Sequence, residues 1–136
     1  MKPRVLVVDD DIEFAELIKF NLTQEGCESF AVHTGIHALR AARAELPDVI
    51  LMDVMLPDLD GLSVCEILNS QALTRDIPIL MLTALDQSWT ETRKSKARFA
   101  RFFTKPVDLK ILRDSVRTVA WEHLVHARSR LAENGL

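Results

Sequence analysis

The chain has 136 residues, 48% of them hydrophobic and 27% charged, with a net charge of −3. That is enough for one domain with a proper core and too little for two. No apolar run approaches the roughly 18 residues a membrane span needs, and the acidic balance argues against bulk binding to nucleic acid. Met1-Lys2-Pro3-Arg4 runs straight into a strand with no small-residue cleavage site, so no signal peptide is expected. Cys27 and Cys65 stand at no motif spacing in apolar surroundings and read as core thiols of a reducing cytoplasm, the expected location.

Val5 to Val8 is an uncharged apolar run, a buried strand that ends in Asp9-Asp10-Asp11. Ile12 to Gln24 follows near a helical period, with Phe14, Leu17, Ile18 and Leu22 apolar, Asp10 or Asp11 as its cap and Gly26 as its close. Cys27 to Val32 is a weak strand. Thr34 caps a helix from Gly35 to about Ala44. Val49 to Met52 is again too short for a helix, bounded by Pro47 and Pro57, and it ends in Asp53. Gly61 to about Leu68 is a helix, and Asn69 to Asp76 a loop. Pro78 to Leu82 is a strand leading to Thr83-Ala84. Trp89 to Ala97 is a polar helix with a thin apolar stripe, expected to be the most mobile element. Phe102 to Thr104 is a short strand before Lys105-Pro106. Asp108 caps a long last helix from Leu109 to about Ala132.

Strands alternating with helices predict right-handed βαβ units: an α/β, doubly wound, five-stranded parallel sheet with five helices, the last one extended. In such a sheet the strand C-termini share one edge. Asp9-Asp10, Asp53, Thr83 and Lys105 end four different strands, and neighbouring strands lie about 4.8 Å apart, so these side chains can meet in one crevice. Three carboxylates held together repel one another and call for a divalent cation. A set of oxygens without His or Cys suits Mg²⁺, which keeps waters and accepts phosphate oxygens. A carboxylate nucleophile, a metal, a lysine and a hydroxyl together make a phosphoryl-transfer site.

These residues carry a resemblance. Val7-Val8-Asp9-Asp10-Asp11, the run from Asp53 to Gly61, Leu82-Thr83-Ala84 and Thr104-Lys105-Pro106 resemble, in order, the motifs of the receiver domain of two-component response regulators. The resemblance covers roughly residues 4 to 120. It implies a flavodoxin-like sheet of strand order 2-1-3-4-5, with a receiver over residues 1–120 and residues 121–136 as an extension serving as linker, dimerising or docking helix. It implies that Asp53 accepts a phosphoryl group from a sensor histidine kinase or phosphotransfer protein. Asp10 would be a direct Mg²⁺ ligand, Asp9 an acid acting mainly through water, and the main-chain oxygen of Met55 a further ligand. Thr83 and Lys105 would hold phosphoryl oxygens, Phe102 would be the aromatic switch, and Lys105-Pro106 would be cis. Such a protein catalyses its own labelling and is not an enzyme with a separate substrate.

The chain departs from the family in places. Receivers commonly carry Gly-Ala and acidic residues before the last strand, where this chain reads Arg98-Phe99-Ala100-Arg101. That puts the left-handed turn and the charge of the face in doubt. Arg93 to Lys105 is rich in Arg and Lys, which is a solvated face or, with the last helix, a face for a second copy or an acidic output partner. No run reads as a DNA-binding or catalytic output segment, and no direct contact with nucleic acid or membrane is expected. His123 and His126 read as surface histidines. Apolar Met55 and Leu85 near the phosphoryl group would leave no side chain to orient a water, so a phosphoaspartate is expected to decay slowly. Two rivals remain: a receiver-like module that signals without phosphate, and an aspartate-nucleophile phosphohydrolase, which needs a general acid where Met55 stands.

Overall fold

The computed structural model describes residues 1–84 and 94–133. The described elements are β1 (Arg4–Val8), α1 (Ile12–Gln24), β2 (Glu28–Val32), α2 (Gly35–Glu45), β3 (Val49–Asp53), α3 (Gly61–Ser70), β4 (Ile79–Ala84), β5 (Arg101–Lys105) and α4 (Leu109–Glu133). The five strands form one sheet in the order β2-β1-β3-β4-β5, every pairing parallel, as expected for a flavodoxin-like receiver.

Strand alternation writes the two faces of the sheet. Leu6, Val8, Ile50, Met52, Ile79 and Met81 pack with Ala38 and Ala42 of α2 and with Leu62, Cys65 and Leu68 of α3. Their neighbours Val5, Val7, Val49, Leu51, Leu80 and Leu82 pack with Ala15, Ile18 and Leu22 of α1 and with Leu112, Val116 and Ala120 of α4. Each large side chain so buried contributes about 1.5–3 kcal/mol. The alanines at the helix contacts let the helix backbones approach the sheet closely.

The caps follow the sequence. Asp11 accepts from the Phe14 amide, Thr34 from His37, Asp60 from Ser63, and Asp108 from Lys110 and Ile111. Gly26, at φ 82°, closes α1 in a conformation glycine adopts freely. Leu46 closes α2 at φ 44°, which leucine adopts only at a cost.

Four helices stand among the described residues. The helix expected over Trp89–Ala97 falls largely on residues 89–93, outside the described ones. Its expected last turn is not helical: Ser95 to Phe99 are irregular. The reason is local, since the Ser95 hydroxyl accepts from the Ala97 amide and reaches Glu66, offering the backbone an alternative to the helix. α3 continues to Ser70, past its expected end near Leu68. Asn69 receives the Arg98 amide at 2.7 Å and donates to the Arg98 carbonyl, and Ala100 donates to the Ile79 carbonyl. Those bonds carry the chain into β5 without a left-handed residue, so the missing glycine leaves no strain there.

α4 runs unbroken past Ala120. Arg113 and Arg117 pair with Glu25 at the end of α1. Beyond them, His123 Nδ1 lies 3.1 Å from Asp48 Oδ1 at the opening of β3, and Asp48 Oδ2 accepts from the Arg4 amide. His123 is therefore half-buried against the sheet and not a plain surface histidine, whereas His126 is exposed. Among the described residues, no helix is long and apolar enough to cross a membrane.

Candidate functional site

Parallel pairing puts the strand ends on one edge. Val8 pairs with Met52, so Asp9 and Asp53, each the next residue, stand side by side. Asp53 pairs with Leu82, and Ala84 with Lys105, which brings Thr83 and the lysine to the same edge. Asp9, Asp53 and Thr83 are buried there, while Asp10 is exposed.

Lys105 Nζ donates to Asp53 Oδ2 at 3.1 Å and to Asp9 Oδ2 at 3.2 Å. The other Asp9 oxygen accepts from the Asp11 amide at 2.9 Å, and the other Asp53 oxygen from the Met55 amide at 3.0 Å. Burial pushes the Asp53 carboxyl above its ordinary value. The Met55 amide and Lys105 pull it back, the Asp9 charge pushes it further, and the net direction is up. For Lys105 burial works downward, but Asp53 and Asp9 outweigh it and the ammonium is held more firmly than usual.

Backbone geometry sets the position of Asp53 as much as side chains do. A Cβ on Gly61 would lie 2.1 Å from the Asp53 carbonyl oxygen, and the Gly61 amide donates to the Val54 carbonyl at 2.8 Å. Only glycine lets α3 start against the end of β3.

Of the other expected site residues, Met55 has its amide tied to Asp53 and its side chain mostly in solvent. The Thr83 hydroxyl contacts the Ala84 carbonyl at 3.2 Å. Phe102 is 41% exposed and meets Phe99 edge-on with ring centroids 6.3 Å apart, so it is not core filler. The Lys105-Pro106 bond is cis. Leu85 lies outside the described residues. Two neighbours escaped the sequence reading. The Phe14 ring lies under the Lys105 ammonium at 5.0 Å, and the His33 Nδ1–H donates to the Asp9 carbonyl at 2.8 Å. Neither has a spacing that marks it, since both reach the site only through the fold.

Oxygens of Asp9, Asp10 and Asp53 all lie within 4.8 Å of one another. The set is hard, all-oxygen and open to solvent on the Asp10 side, and Lys105 alone leaves it short of positive charge. It fits a Mg²⁺ ion that keeps part of its water shell.

The comparisons agree with this fold. The family model for the response regulator receiver domain matches residues 5–117. The chain is 38% identical over 125 residues to the response regulator PleD of Caulobacter vibrioides, covering 92% of this chain and 28% of that protein. It is 34% identical over 134 residues to the alkaline phosphatase synthesis transcriptional regulatory protein PhoP of Bacillus subtilis, covering 98% of this chain and 55% of that one. The chain thus spans about a quarter to a half of the length of these relatives. Among solved structures, the signal receiver domain of a histidine kinase from Syntrophus aciditrophicus superposes with a TM-score of 0.80 at 29% identity, covering 88% of this chain and 91% of that one. The receiver domain of sensor histidine kinase PA1611 from Pseudomonas aeruginosa, described with a magnesium ion coordinated in its active-site cleft, gives 0.78 at 29% identity, covering 88% and 98%. The chain belongs to the response regulator receiver domain family of two-component systems.

Proposed function

We propose that this chain is a phosphorylation switch. The carrying observation is that one ammonium, Lys105, bridges two buried acids, Asp9 and Asp53, with Asp10 beside them. An Asp53 carboxylate oxygen attacks the phosphorus of a phosphohistidine on a sensor kinase or phosphotransfer protein. The P–O bond forms as the P–N bond breaks, and the departing imidazole takes up a proton. Asp9, Asp10, Asp53 and the Met55 main-chain oxygen would hold Mg²⁺, which when bound neutralises charge on the phosphoryl oxygens. Lys105 and the Thr83 hydroxyl hold the remaining oxygens.

The gain of charge at Asp53 then biases a two-state element. Thr83 moves toward the phosphoryl group and the half-exposed Phe102 ring turns inward. The face around β5 and the last helix changes its affinity for a second copy or an output partner. Residues 1–120 act as the receiver and residues 121–136 as an extension beyond it, in the cytoplasm. Met55 supplies no acid for a hydrolase and no group to orient a water, so the phosphoaspartate lasts.

Incubation with a small phosphodonor and Mg²⁺, followed by intact mass, tests this. A phosphate adduct that persists and is absent in Asp53→Asn supports the switch. Rapid turnover without an adduct points to a hydrolase. Neither adduct nor turnover points to an interaction module that works without phosphate.

A further inference from the structure

The loop from β3 to α3 passes Met55 and then leans on α2. Asp58 Oδ1 accepts from the Gly35 amide at 2.7 Å, and Oδ2 from the Ile36 amide at 2.9 Å. These are the first two residues of α2, whose own cap, Thr34, takes the next amide, that of His37. α2 thus has two caps, one from its own lead-in and one from the loop after β3, and they serve different amides. Gly35 makes the seat tight. A Cβ there would lie 2.8 Å from Leu59 Cβ and 3.2 Å from Asp58 Oδ1. The two amides draw the Asp58 carboxyl down to about 2, although the side chain is in solvent. Among the described residues, Asp58 is the polar tie from the stretch Met55–Leu59 to a different helix.

Met55 is pinned to Asp53 at one end of this stretch, and Asp58 is pinned to α2 further along. We infer that Asp58 is a positioning residue of the site: its two-amide clasp on α2 sets the Met55 backbone before a divalent cation or phosphoryl group arrives. The inference rests on the proposed Mg²⁺ site, with Met55 as a main-chain ligand. A group that fixes a ligand without touching the metal commonly changes metal affinity by about tenfold or more. A plain helix cap would change stability alone.

Thr34→Ala separates the two cases, because it removes a cap from the same helix without touching the loop. Wild type, Asp58→Ala, Asp58→Asn and Thr34→Ala are compared by melting, by calorimetric titration with MgCl₂, and by hydrogen exchange of the Met55 amide in metal-free protein. Both alanine variants should melt lower. Only Asp58→Ala should bind Mg²⁺ about tenfold more weakly and exchange the Met55 amide faster, with Asp58→Asn, which keeps one acceptor oxygen, in between. Equal Mg²⁺ affinity and equal Met55 exchange in Asp58→Ala and Thr34→Ala would overturn the clasp. If wild type takes up no Mg²⁺, the metal site itself fails, and Met55 exchange alone decides the clasp.

Discussion

Lys105 Nζ stands 3.1 Å from Asp53 Oδ2 across 52 positions of sequence, joining the ends of two strands that are not neighbours in the sheet. β4 lies between them: its Leu82 pairs with Asp53, its Ala84 with Lys105, and Thr83 falls between those two positions. Without a metal, Lys105 offsets only part of the negative charge that Asp53, Asp9 and Asp10 bring together. An incoming cation must share those oxygens with the ammonium.

Removing the ammonium should therefore have opposite effects on binding and chemistry. Lys105→Ala should bind Mg²⁺ more tightly, because a competing cation is gone. It should also be phosphorylated by a small donor about a hundredfold more slowly, because a donor aimed at the transferring group is gone. Titration with Mg²⁺ and the rate of adduct formation by mass spectrometry check the two arms. Weaker Mg²⁺ binding in the variant would contradict the competition.

The raised Asp53 carboxyl carries a pH signature. In the folded protein this group holds its proton more tightly than in the unfolded chain, whose ordinary value is 3.8. Its contribution to stability is full below that value and is lost as pH rises through the folded one. Metal-free Asp53→Asn should lack this loss and melt higher than wild type at neutral pH. Added Mg²⁺ should raise the melting temperature of wild type and leave the variant nearly unmoved. Melting curves across pH, with and without Mg²⁺, read both.

At the opposite edge of the sheet, His123 and the Arg4 amide share the buried Asp48 carboxylate. Truncating one partner leaves that carboxylate short of a donor. His123→Ala should cost about 1–3 kcal/mol in urea unfolding, and His126→Ala, at an exposed position, close to nothing. Equal effects would mean that the Asp48 contact contributes no stability.

Leu46 holds a left-handed conformation at φ 44° that costs a leucine roughly 1 kcal/mol. Leu46→Gly should therefore raise the urea midpoint, by up to about 1 kcal/mol of stability, less what its half-exposed side chain contributes by packing. An unchanged or lowered midpoint would mean that packing outweighs the backbone cost.

What could be read from the sequence was whatever is local or periodic. The uncharged runs from Val5 and Val49 predict their strands, and Asp11, Thr34 and Asp108 cap the helices they precede. The site was legible because parallel strands deliver their ends to one edge, so position in a strand stands in for position in space. Contacts between distant elements were not legible. Nothing near Asp58 says that its oxygens will close α2, and nothing near His123 points to Asp48. Ser95 to Ala97 are not helical although periodicity predicts a helix to Ala97, because the Ser95 hydroxyl takes the Ala97 amide. Leu46 gave no sign at all, since leucine is a poor marker for a left-handed turn.

The contact beneath Asp53 has a wider meaning. Since the carbonyl of Asp53 occupies the space a side chain on Gly61 would need, the scaffold can be put out of true from behind, with every acid intact. A sequence that keeps its aspartates, threonine and lysine yet bears a side chain at that position should be suspected of having retired from phosphate chemistry.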